Sequence, residues 1–269
     1  MCGFAGCLEP GAASGALTAA ATAMAETLAH RGPDDGGAWS DPAAGIALAF
    51  RRLSILDLSA AGHQPMTSAS GRSAIVFNGE IYNHRAVRAA LAGAGAAVAW
   101  RGHSDTETLI EALERWGVEG TLARIEGMFA FAYWDAATRK LWLARDRFGE
   151  KPLYYGWNGG RFLFGSELKA LAAHPGFAAP LDRDAIAAFV HLGYVPGPRS
   201  AFQGISKLPP GHVAVIDGAT ANVNPTPKPY WTVAATARTS AAAPFAGSDR
   251  EAVDRLETLL TDAVAARIE

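Results

Sequence analysis

The chain opens MCGFAGCLEP, with a cysteine directly behind the initiator Met. Hydrolysing an amide takes a thiolate to attack the carbonyl, a group to accept the thiol proton, and donors to hold the oxyanion that develops. A cysteine thiol titrates near ~8.5 and an α-amine near ~7.7–8.0. A cysteine at the head of a chain therefore carries its own base, within reach through one water. At Cys2 this holds only once Met1 is removed, because an acylated nitrogen is no base, and the small second residue favours removal. Cys7 has no such amine and reads as a small core side chain. Taken alone, Cys2 reads more readily as a buried free thiol than as a nucleophile.

Four further stretches bear on the choice. In VFNGEIYN a strand followed by Asn-Gly ordinarily predicts a tight hairpin turn, yet no second strand follows, because EIYNHRAVRAAL reads as helix. The Asn78 carboxamide beside the Gly79 N–H is then a pair of donors for an oxyanion. In RRLSILDLSAAGHQPM an arginine at a strand end suits bidentate capture of a carboxylate, against the plainer reading of Arg51 and Arg52 as a solvated pair. In SDTETL Asp105 either binds a substrate ammonium or caps a helix. HRGPDDGG reads as a turn-rich loop over Pro33–Gly37. The seven His are scattered, with no His pair at helical spacing and no CxxC, so no metal site is expected. No glycine-rich phosphate loop occurs either.

These residues must be held by a fold, and 269 residues suffice for one large domain or one domain and the start of another. Apolar residues make up 49% and charged residues 19%, ordinary for a chain with a sizeable core. The net charge of -2 and the lack of a basic cluster give no reason to expect nucleic acid as partner. No run approaches the ~20 apolar residues that span a bilayer, and with no basic stretch ahead of an apolar run at the start, a secretory signal is not expected. Two cysteines so close together cannot staple a fold, so a reducing, cytoplasmic setting is expected.

Strands are predicted at Gly3–Leu8, Gly45–Phe50, Ser73–Phe77, Met128–Trp134, Lys140–Ala144, Leu153–Tyr155, Phe162–Phe164 and His212–Ile216. Helices are predicted at Ala16–Ala29, Arg85–Ala92, Thr106–Trp116, Ser166–Leu171 and Arg183–Phe189. From Thr220 to Ser248 the composition shifts to Pro, Ala, Thr and Ser, which predicts a linker. Asp249–Ile268 then reads as an amphipathic helix, with Val253, Leu256, Leu260 and Val264 at helical spacing and nothing of its own to pack against. The division expected is a domain over 1–218, a linker over 219–248 and a lone helix over 249–269.

In chain order, MCGFAG, HRGPDDGG, RRLSILDLS with GHQPM, FNGEIYNH, SDTETLIEAL, GMFAFAYWD, LARDRFGEKPLYY and FGSELKAL resemble the glutaminase domain of class II glutamine amidotransferases. These are N-terminal nucleophile hydrolases, and the likeness over residues 2–217 points to the glutamine-hydrolysing asparagine synthetase group. The resemblance implies an α+β fold, a four-layer αββα sandwich of two antiparallel sheets. It implies Cys2 as nucleophile, Asn78 and Gly79 as oxyanion hole, and Arg52 on the α-carboxylate of L-glutamine. The backbone of Leu53, Ser54, Ile55 and Leu56 would line the pocket, with Glu80 and Asp105 on the α-ammonium. No cofactor is implied for this half-reaction.

In that family the ammonia passes to a synthetase domain using ATP and Mg, and that domain opens with a helix such as Asp249–Ile268 and an SGGxDS loop. The sequence ends at Glu269 before any such loop, so the synthetase is expected in cis in a longer protein or as a separate chain, and a homodimer is compatible with the resemblance. LARDRFGEKPLYY favours the asparagine synthetase group over amidotransferases making glucosamine 6-phosphate, glutamate or phosphoribosylamine, while relatives that amidate sugars or other carboxylates share the same glutaminase. A non-catalytic glutamine-binding domain and another N-terminal nucleophile hydrolase are the remaining readings.

Overall fold

Alternate residues of the first strand, β1 (Gly3–Leu8), face opposite ways, and both sets are apolar and buried. Phe4 and Leu8 join one apolar cluster, while Ala5 and Cys7 join two others. A strand apolar on both faces must be covered on both, and the order of elements shows how. The computed structural model describes residues 1–54, 57, 59–93, 98–217 and 223–268. After β1 come α1 (Ser14–Glu26), β2 (Asp35–Asp41), β3 (Ile46–Arg52), β4 (Met66–Thr67), β5 (Ser73–Ile81), α2 (His84–Gly93) and α3 (Asp105–Leu122). The chain continues through β6 (Gly127–Asp135), β7 (Lys140–Arg145), β8 (Tyr154–Asn158), β9 (Arg161–Gly165), α4 (Leu168–Ala172) and α5 (Arg183–Leu192). It closes with β10 (Ile205–Lys207), β11 (His212–Asp217), β12 (Lys228–Pro229), α6 (Val233–Ala242) and α7 (Asp249–Ala265).

The strands form two antiparallel six-stranded sheets, ordered β10-β8-β9-β1-β3-β2 and β12-β11-β7-β6-β5-β4. Phe4, Leu8, Ile46, Leu48 and Phe50 of the first sheet meet Val76, Ala132, Trp134, Leu143 and Ile216 of the second in one buried core. On its outer face the first sheet packs Cys7, Ala47 and Ala49 against Leu17 and Ala21 of α1 and Leu171 of α4. The second sheet packs Ile75, Phe77, Phe131 and Tyr133 against α2 and α3. The result is helix, sheet, sheet, helix: the four-layer α+β sandwich expected. Burying this many apolar side chains, at roughly 1.5–3 kcal/mol each, is the main term holding the layers together.

Three local expectations are corrected. Asp35, Gly36 and Gly37 are not loop but the start of β2, paired with Arg52, Arg51 and Phe50 of β3. The strand read as ending at Phe77 runs on through Asn78, Gly79 and Glu80 to Ile81, paired with β6 throughout. The stretch read as linker holds β12 and the ten-residue helix α6. Val223 and Asn224 are bonded to Trp157, and the Tyr230 hydroxyl donates to the Arg145 carbonyl at 2.7 Å. The chain accordingly divides into a unit Met1–Tyr230 and a unit Trp231–Glu269, and the expected 218/219 boundary lies outside the described residues. Within the second unit α7 begins with a capping box between Ser248 and Glu251, and Val253, Leu256, Leu260 and Val264 are exposed. Among the described residues no helix is long and apolar enough to cross a membrane.

Candidate active site

A cleft is lined by Cys2, Arg52, Leu53, Asn78, Gly79, Glu80 and Asp105, together with Met1, Gln64 and Lys151. Of the residues singled out in the sequence, Ile55 and Leu56 lie outside the described residues. Ser54 stands beside the cleft, where its N–H donates to Asp34 Oδ2 at 2.8 Å. The others come together from four elements: the start of β1, the end of β3, the end of β5 and the first turn of α3.

Cys2 is held through its backbone and its sulfur. Arg31 Nε donates to the Cys2 carbonyl at 2.9 Å, and Arg31 in turn meets Glu167 at 2.8 Å. Two residues along, Phe4 and Ser166 exchange bonds, with Phe4 N–H on Ser166 Oγ at 3.1 Å and Ser166 N–H on the Phe4 carbonyl at 2.9 Å. The Cys2 thiol donates to the Leu53 carbonyl at 3.4 Å, and the Leu53 N–H donates back to Sγ at 3.3 Å. Burial pushes this thiol up from its ordinary value, against a smaller downward pull from the Leu53 N–H, the terminal ammonium and Arg52.

β5 supplies the donors, and its register explains why. In a strand, N–H groups two residues apart point the same way. The Phe77 N–H donates to Gln64 Oε1 at 2.7 Å, and the Ile81 N–H donates to Asp105 Oδ2 at 2.9 Å, both away from β6. Gly79 lies between them and opposite Phe129, whose own N–H and carbonyl both bond to Asp146. The Gly79 N–H is thereby left facing the cleft. A side chain at this position would collide with the Met128 carbonyl, so β6 approaches too closely for anything but glycine. The neighbouring Asn78 is buried, and its Nδ2 has no hydrogen-bond partner among the described residues. The Asn78 amide thus lacks an acceptor among the described residues, with the Gly79 N–H beside it, and a buried donor rarely stays unpaired unless something binds it.

Arg52 donates to the Ser59 carbonyl at 3.3 Å and to the Asp57 carbonyl. Its guanidinium packs against Gly62, where a Cβ would strike it. Asp105 is fully buried, which pushes its carboxyl up to about 6, while the Ile81 and Thr106 N–H groups and His84 pull the other way. It is not the helix cap: Ser104 accepts from the Glu107 N–H at 3.1 Å, which leaves Asp105 aimed at β5 and the cleft.

Several residues around the site were not singled out from the sequence. Gln64 bonds to both the N–H and the carbonyl of Phe77, Arg31 fixes Cys2, and Lys151 is a buried cation on the cleft wall. Their motifs HRGPDDGG, GHQPM and FGEKPLYY were visible, but the partners they reach are far away in sequence. Remote from the cleft, donor atoms of Cys7, Glu9 and His174 lie within 4.8 Å of one another, a cluster not expected from the scattered histidines.

Chemically, one cleft brings together a thiol, the unpaired Asn78 amide with the Gly79 N–H beside it, a buried guanidinium and a buried carboxylate. The profile of the glutamine amidotransferase domain matches residues 1–231. Asparagine synthetase [glutamine-hydrolyzing] 3 of Bacillus subtilis (strain 168) is 34% identical over 253 residues, which are 91% of this chain and 38% of that protein. Asparagine synthetase [glutamine-hydrolyzing] 2 of the same organism is 41% identical over 152 residues, covering 56% of this chain and 19% of that one. The chain thus spans well under half the length of these relatives. A solved structure of glutamine phosphoribosylpyrophosphate amidotransferase from B. subtilis shares the fold, with a TM-score of 0.57 at 17% identity over 85% of this chain and 49% of that one. The chain belongs to the glutamine amidotransferase domain family.

Proposed function

We propose that the protein, once Met1 is removed, hydrolyses L-glutamine to glutamate and ammonia through a γ-glutamyl thioester on Cys2. Glutamine's α-carboxylate meets Arg52, and its α-ammonium meets Asp105 and Glu80. That places the side-chain amide over the sulfur, with its oxygen between Asn78 Nδ2 and the Gly79 N–H. The Cys2 sulfur attacks the amide carbon while the α-amine takes the thiol proton. The amine then returns that proton to the leaving nitrogen, the C–N bond breaks and ammonia departs. Water attacks the thioester, giving up a proton to the amine, and the C–S bond breaks to release glutamate and restore the thiol. The unpaired Asn78 amide beside the Gly79 N–H carries the reading, because nothing in the fold requires two donors there.

The ammonia is consumed in a synthetase domain that uses ATP and Mg to activate a carboxylate, aspartate in the first instance. Relatives named as glutamine-hydrolysing asparagine synthetases support that acceptor. In this reading α7 opens the synthetase domain, and a reducing cytoplasm keeps both thiols free. Amidation of a sugar or another carboxylate would leave the glutaminase chemistry the same.

Quenching the reaction with acid and mapping the protein by mass spectrometry should find the glutamyl adduct on Cys2 and nowhere else. Ammonia release from glutamine by Cys2→Ala at the parental rate would overturn the nucleophile assignment.

A further inference from the structure

The loop that follows β7 is held with unusual completeness. Asp146 accepts from the N–H groups of Phe129, Phe148, Glu150 and Lys151 at 3.0–3.2 Å. Arg145 donates to the carbonyls of Lys151 at 2.7 Å, Leu208 at 2.7 Å and Gly149 at 2.6 Å. Both backbone groups of Lys151 are therefore fixed, and its side chain is sent into the cleft wall, where the residue is only 7% exposed. Its Nζ lies 3.7 Å from Met1 Sδ, and it makes no ion pair among the described residues. A buried ammonium without a carboxylate is costly, and removing Met1 takes away the one hydrogen bond described for its side chain. The space vacated adjoins the nitrogen of Cys2.

We propose that Lys151 is a positioning residue that keeps the α-amine of a Cys2-initiated chain in its base form by placing a second positive charge beside it. The proposal rests on the glutaminase reading above. The charged groups around that amine are Arg31, Arg52 and Lys151 on one side of the balance and Glu80 and Asp105 on the other. Arg31 is matched by Glu167. With glutamine bound, Arg52 faces the substrate carboxylate, and Glu80 and Asp105 face its ammonium. Lys151 is the charge left over. A like charge disfavours the ammonium form of its neighbour, so the amine stands ready to take the thiol proton at neutral pH. The same repulsion makes the protonated amine a better acid when it returns that proton to the departing nitrogen.

The test compares kcat/KM against pH for the parent, Lys151→Met and Lys151→Arg, with loss of Met1 confirmed by intact mass. The acidic limb of Lys151→Met should move up by about one pH unit. At pH ~6 it would then run about tenfold slower than the parent, converging with it at high pH, while Lys151→Arg follows the parent. An unmoved limb in Lys151→Met, or an equal shift in Lys151→Arg, overturns the proposal. Competitive acetylation of the α-amine by acetic anhydride across pH reads the same midpoint without turnover, and Lys151→Gln serves if the Met variant does not fold. Absence of a Cys2 adduct in the parent would overturn the glutaminase reading instead, and the acetylation midpoints would still judge Lys151.

Discussion

Cys2 and Cys7 sit five residues apart, one just before β1 and the other within it, and the chain has placed them in opposite chemical situations. Cys2 is half-buried at a cleft, where burial raises its thiol while the Leu53 N–H and the positive field of Arg52 pull it part of the way back. Cys7 is fully buried against α1, where desolvation and the carboxylate of Glu9 push its thiol far above the ordinary range. Glu9 itself is committed to His174 at 2.6 Å and Arg161 at 2.9 Å. The three donor atoms have the spacing of a metal triad, yet they satisfy one another through protons, with a guanidinium beside them. The same side chain is thus a nucleophile candidate or an inert filler according to its neighbours.

The contrast is broken most directly at the sulfurs. Cys2→Ala should lower glutamine turnover by about 10³-fold or more, whereas Cys7→Ala should leave kcat within about twofold. A comparable loss in Cys7→Ala would erase the distinction. Next in size, Asn78→Ala should lower kcat about 10²–10³-fold with little change in KM. A larger effect on KM than on kcat would mean the amide binds ground-state substrate and not an oxyanion.

Third, Asp105→Asn should raise KM for glutamine about 10–100-fold, the worth of a hydrogen bond to a charged group. In the parent the carboxyl titrates at about 6, charged above that pH and neutral below it. Only the charged form pairs with an ammonium, so KM should climb as pH falls through about 6, and Asp105→Asn should flatten that rise. A pH-independent KM would remove Asp105 from the substrate. The smallest effect belongs to the far end of β1. Glu9→Ala leaves Arg161 and the buried His174 without their acceptor and should cost about 2 kcal/mol in urea denaturation, with kcat unchanged. A lost kcat there would tie the two ends of the strand together.

Much of this site was legible in the sequence because its residues occur in short motifs whose types match one reaction. By residue type Cys2, the Arg51-Arg52 pair, Asn78-Gly79 and Asp105 each stood beside a plainer reading, and the resemblance singled out Cys2, Arg52, Asn78, Gly79 and Asp105, all of which line one cleft. What escaped was the scaffolding that depends on distant partners. Asn-Gly looked like the end of a strand because turn chemistry favours that pair. Its continuation as β5 is imposed by pairing with β6, fifty residues on. Ala and Thr between Pro-rich stretches looked like linker, yet VAATARTSAA behind the capping hydroxyl of Thr232 forms α6, as alanine's helix preference permits. Arg31, Gln64 and Lys151 stand in visible motifs, but the partners that give them a place at the site are distant in sequence.

The pairing of β5 with β6 has a consequence for anyone preparing this protein. A one-residue slip would exchange the two faces of β5, turning the Asn78 amide into the helical layer and Phe77 toward the cleft. Secondary-structure content would hardly change, so circular dichroism would pass such a sample as native. On the proposed glutaminase reading, glutamine turnover per molecule would fall, and it would serve as a count of correctly registered chains in any refolded batch.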